Sequence, residues 1–109
     1  MTVAEVASSL SLKPIAAPEE DREVQGAYIG DLLSWVMGRA QSGNVWVTIM
    51  SNLNVVAVAS LADVSCIVLA EGVELDSEIK NVALQKGINV YSTSKSAFEI
   101  AAELSRLAI

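Results

Sequence analysis

From Val45 onward the chain alternates short apolar runs with segments of helical period, and that alternation, more than any other feature, limits what it can fold into. Val45-Trp46-Val47-Thr48-Ile49, Cys66-Ile67-Val68-Leu69 and Ile88-Asn89-Val90-Tyr91 are rich in β-branched and aromatic residues and read as buried strands. After the first comes Leu53–Ala62, and after the second a helix that Asp76 caps and that runs through Lys86 to the terminating Gly87. After the third, Ser96-Ala97-Phe98-Glu99 has the spacing of a capping box, and Ala97, Phe98, Ile100, Ala101, Leu104 and Leu107 follow at helical period. Strand and helix taking turns three times is the pattern of an α/β domain: a parallel sheet built by right-handed crossovers and covered by helices.

The front third adds an edge and two helices. Thr2-Val3-Ala4-Glu5 is a capping box ahead of Val3, Val6, Ala7 and Leu10. Leu12–Ala16 is extended, and Pro14, which has no N–H to donate, confines it to a sheet edge. A polar turn over Ala17–Asp21 leads to a second strand, Val24–Ile29, interrupted at Gly26. Asp31 then caps a helix through Leu32, Leu33, Trp35, Val36 and Ala40, ending near Gly38 to Gly43.

The segment 53–62 has almost no polar face, and such a helix must be covered on several sides. Apolar residues make up 52% of the 109 and mean hydropathy is +0.45, more than one small core absorbs. A homodimer is therefore expected, with Trp35, Val55, Val56 and Val58 at its interface. No apolar run approaches the roughly 20 residues that span a bilayer, and the amino terminus lacks a signal-peptide pattern, so the expectation is a cytoplasmic protein without a membrane segment. A net charge of -6 with no basic cluster argues against nucleic acid as a partner.

Histidine is absent and Cys66 is the lone cysteine, which excludes zinc and iron–sulfur sites built by one chain, and Ser-His-Asp or Cys-His catalysis. No metal, cofactor or catalytic residue is expected, and Cys66 reads as a core residue. The isolated glycines form neither a dinucleotide fingerprint nor a P-loop. A ligand of such a fold sits beyond the carboxyl ends of the strands. Those ends carry Thr48 to Asn54, Ala70 to Gly72 and Ser92 to Ser96. Thr48, Asn54, Ser92, Thr93 and Ser94 are thus candidate contacts for a nucleotide or other anionic metabolite, although hydroxyl-rich helix starts are more often plain caps. Trp35 and Trp46 can stack on an aromatic ligand or simply supply hydrophobic cover.

Asp21–Gly38, Val45–Ile49, Asn54–Ala59 and Ser96–Glu99, in that order, resemble a DRTGG domain, and the resemblance runs from about Val6 to Ile109. Ala27 stands where a second glycine is common, and Met50-Ser51 replaces a more polar pair. The resemblance implies a three-layer α/β/α sandwich with a mostly parallel sheet, like the amino-terminal domain of bacterial HPr kinase/phosphatase. It also implies a regulatory or dimerising role without catalysis, and an association with hydrogenase components in anaerobic bacteria or with a kinase-like partner. Arg22 and Tyr28 are its most characteristic positions. Arg22 can grip an anion or a partner's carboxylate with its planar fork, or the Asp21-Arg22 pair can close a turn.

Overall fold

The computed structural model describes residues 1–18 and 21–109. The turn read over Ala17–Asp21 thus includes two positions, Glu19 and Glu20, outside the described residues. Helix α1 (Val3–Leu10) starts at the expected box: Thr2 accepts from the Glu5 amide and Glu5 from the Thr2 amide. Strand β1 (Lys13–Ala16) follows, then β2 (Ala27–Ile29), α2 (Leu33–Arg39), β3 (Val45–Thr48), α3 (Leu53–Ala62), β4 (Cys66–Leu69), α4 (Ser77–Gln85), β5 (Val90–Ser92) and α5 (Ala97–Leu104). The second capping box holds too, between Ser96 and Glu99 at the start of α5.

The sheet order is β1-β5-β4-β3-β2, with every pairing parallel except β1 against β5. Pro14 lies on that antiparallel edge strand, where its missing donor costs no ladder bond. Alternation along the strands sorts two cores. Val45, Val47, Cys66, Val68 and Tyr91 face α1 and α5, while Trp46, Ile67, Leu69 and Val90 face α2, α3 and α4. This is the three-layer sandwich. Among the described residues no helix is long and apolar enough to cross a membrane.

Several boundaries differ from the expectation, and three of them bear on the site or the sheet. Strand β2 begins only at Ala27, because Gly26 takes a left-handed φ of 69° that breaks the extended run from Val24. Strand β5 runs to Ser92 rather than ending at Tyr91, which brings that hydroxyl into the sheet. Helix α2 has Leu32, not Asp31, at its N-cap, without a side-chain cap. Asp31 accepts from the Thr48 hydroxyl (2.7 Å) and the Ile49 amide (3.0 Å) instead, and so clips the end of β2 to the end of β3.

The expected interface valines are also corrected. Val55, Val56 and Val58 are 0%, 1% and 8% exposed and pack against Trp46, Ile67 and Leu69, inside the protomer. The outward side of α3 is the stripe Leu53, Ala57 and Leu61, at i, i+4 and i+8.

Candidate functional site

Helices that follow adjacent parallel strands usually leave on the same side, and a crevice opens where they do not. Here the chain leaves β2, β3 and β4 toward one layer, and leaves β5 toward the other. The crevice between the ends of β4 and β5 is that switch point. A cleft of about 400 Å³ opens there, lined by Ser11, Lys13, Gly72, Glu74, Ser92, Thr93, Ser94 and Lys95.

Local structure fixes each wall. The β4–α4 turn is held by the Glu71 amide on the Lys95 carbonyl (2.9 Å) and the Gly72 amide on the Thr93 carbonyl (2.8 Å). Both residues are left-handed, Glu71 with φ 62° and Gly72 with φ 76°. For glutamate that conformation is uncommon, and the two bonds keep it. On the far side, antiparallel pairing sets Lys13 opposite Ser92. The Lys13 ammonium bonds Glu74 at 2.7 Å across the mouth. Lys95 points the other way: its ammonium bonds both Glu103 oxygens at 2.9 Å and the Leu10 carbonyl at 3.2 Å.

Of the residues expected to meet a ligand, the structure brings together Ser92, Thr93 and Ser94. Ser92 and Thr93 are buried and Ser94 is exposed. Thr48 lies at the end of β3 with its side chain buried and its hydroxyl committed to Asp31, which removes it from an open site. Asn54 is exposed on the first turn of α3, and Tyr28 is half-buried in β2; neither lines the cleft. Lys13 went unseen because it enters only through edge pairing with a strand far away in the chain. Lys95 sits inside the Ser-Thr-Ser-Lys-Ser run, so the cation in that run was the signal that could have pointed to it.

Arg22 lies at the opposite end of the sheet. Its Nη1 donates to the Val64 carbonyl (2.8 Å) and pairs with Asp63 (3.1 Å), just ahead of β4. The Ser42 hydroxyl also donates to Asp63, and this bond chiefly holds the Asp63 carboxyl below its ordinary value, with the Arg22 charge adding to the effect. The Asp21 carboxylate accepts from the Ala4 and Arg22 amides. The Asp21-Arg22 pair therefore closes local structure and ties it to α1 and β4.

The outer helical layer is the second notable surface. Leu53 and Leu61 are 53% and 72% exposed. An apolar groove of about 250 Å³ runs between α3 and α4, lined by Leu53, Asn54, Val56, Ala57, Val82 and Lys86. On neighbouring α2, Trp35 is 54% exposed, and the Arg39 guanidinium lies 4.0 Å over its ring. Trp46, by contrast, is fully buried, with its indole N–H on the Gly30 carbonyl at 2.9 Å. It is core and offers no stacking face.

A mostly parallel sheet between two helical layers, with a crevice at the switch point, defines a small three-layer α/β domain. Residues 5–107 match the DRTGG domain model, and the chain belongs to that family. Its fold is similar to a crystal structure of the CBS and DRTGG domains from the regulatory region of Clostridium perfringens pyrophosphatase, complexed with the activator diadenosine tetraphosphate. The TM-score is 0.72 at 17% identity, over 94% of this chain and 45% of that one, so this chain spans less than half of the region it resembles. No curated protein matches the sequence.

Proposed function

We propose that this domain is a non-catalytic regulatory module that self-associates through the outer face of α3. The observation that carries the reading is the stripe Leu53, Ala57 and Leu61, left open on a helix whose valines are already buried. A soluble monomer gains nothing from keeping such a stripe in water. Rows four residues apart are the ridges by which two helices interdigitate, and Ala57 at the middle of the row lets two backbones approach. Trp35 on the neighbouring α2 is also exposed, and Val82 of α4 lines the groove beside the row. Membership in the DRTGG family, and the place of the similar fold within an enzyme's regulatory region, support the regulatory part of the reading. A hydrogenase component or a kinase-like enzyme is the kind of partner such a module would regulate, in the cytoplasm.

Size-exclusion chromatography with light scattering tests this at micromolar concentration. The expected result is a dimer that Leu61→Glu converts to a monomer with an unchanged far-UV spectrum. A wild-type protein of monomer mass, or a Leu61→Glu variant that stays dimeric, rejects the α3 surface.

A further inference from the structure

We propose that the crevice between the ends of β4 and β5 binds a phosphate-type oxyanion, with Ser92 and Lys13 as its direct contacts and Glu74 as the group it displaces. Ser92 is 4% exposed, yet its hydroxyl has no protein hydrogen bond among the described residues. No side-chain oxygen among these residues is sealed in the interior without a partner, so this hydroxyl opens on the cleft that Ser92 lines. A hydroxyl fixed in a strand at the cleft wall, with no protein partner, is placed to donate to an anion that enters. The Thr93 hydroxyl oxygen accepts from the Lys95 amide (3.2 Å), which leaves its proton free to donate, and Ser94 adds a third hydroxyl at the rim.

Charge comes from Lys13. Its present partner is the Glu74 carboxylate, an oxyanion supplied by the chain itself at the mouth of the cleft. Both side chains are more than half exposed, so the pair is cheap to break. A phosphate group brings more charge and more acceptor oxygens than a carboxylate, and can take Lys13 and the Ser92 and Thr93 hydroxyls at once. Glu74 belongs to the segment that leads to α4, so its exchange for the ligand releases the tie between that segment and β1, while the amide bonds of Glu71 and Gly72 keep the turn in place. The site is separate from the α3 stripe, and the inference stands whether or not the chain self-associates.

Titration of the 109-residue protein with inorganic phosphate, followed by amide NMR, tests the proposal, with sodium chloride at matched ionic strength as the control. Saturable shifts are expected at Gly72 and at Ser92 to Lys95. Lys13→Ala and Ser92→Ala should each weaken binding about tenfold or more, while Glu74→Gln should tighten it by up to about fivefold as the competing carboxylate is removed. Thermal unfolding of each variant confirms that the fold is intact, and Ser92→Cys replaces Ser92→Ala if the latter is not. Shifts that chloride reproduces, that stay unsaturated, or that persist unchanged in Lys13→Ala overturn the proposal, as does a Glu74→Gln variant that binds more weakly.

Discussion

Asp31 joins two strands by accepting the Thr48 hydroxyl at 2.7 Å. The carboxylate also takes the Ile49 amide, while Thr48, 2% exposed, has no other side-chain acceptor among the described residues. Asp31→Ala therefore strands a buried hydroxyl and a backbone donor, and should lower stability by about 2 kcal/mol in urea unfolding. Thr48→Val removes the hydroxyl that needs an acceptor, and although it also takes the acceptor of the Met50 amide (3.2 Å) it should cost less.

The same relationship makes a second, opposite expectation at the neighbouring residue. Because Asp31 is engaged with β3, the N-cap of α2 falls to Leu32, which makes no capping bond and is well exposed. Leu32→Ser supplies the missing acceptor and should raise stability by about 0.5–1 kcal/mol, read as an increase in Tm. No gain would mean that the first turn of α2 is already satisfied in another way.

Much of the sandwich was legible because strands such as Cys66–Leu69 and capping boxes such as Ser96–Glu99 are local signals. The phase of α3 was not. A helix apolar on all sides has no period to tell which residues turn inward, so Val55, Val56 and Val58 looked as free as Leu53 and Leu61. Only packing on Trp46, Ile67 and Leu69 decides between them. The cleft was half legible for a related reason. Ser92, Thr93 and Ser94 end a strand and announce themselves, whereas Lys13 joins them through a pairing with no sequence signature.

That phase is itself testable. Val55→Ala opens a cavity against the sheet and should cost about 1–3 kcal/mol. Leu61→Ala removes more carbon atoms from a side chain that is 72% exposed. In the dissociated protein it should change stability by no more than about 0.5 kcal/mol. Denaturant midpoints at low protein concentration check both, and equal costs at the two sites would reverse the assigned face.

Arg22 holds the chain ahead of β4 through the Val64 carbonyl and Asp63, a structural duty at the end of the sheet away from the cleft. Arg22→Ala should cost about 1–3 kcal/mol, since the part-buried bond to Val64 loses a charged donor. Arg22→Lys should recover only part of this, because an ammonium cannot reproduce the fork that reaches two acceptors. Phosphate titration of Arg22→Lys should be indistinguishable from wild type. Loss of binding with an intact fold would return Arg22 to the ligand site.

Cys66 opens the central strand β4 and is buried, which pushes its thiol up to about 12 from an ordinary value of 9.0. Ellman's reagent should accordingly leave the folded protein unmodified at pH 8 and react with one thiol per chain in denaturant. The same shift couples to stability. Below pH 9 the thiol is protonated in both states, and its contribution does not change. Above that the unfolded chain gives up a proton that the folded chain keeps, so stability falls until the folded thiol itself ionises near pH 12. Within that window the slope from one such group approaches about 1.4 kcal/mol per pH unit. Tyr91, also raised chiefly by burial, adds a loss of the same sign above its ordinary 10.0. Cys66→Ala isolates the thiol: unfolding free energies measured from pH 8 to 10 should fall for wild type and stay nearly level for the variant. Parallel curves for the two proteins would place the origin of the alkaline loss elsewhere.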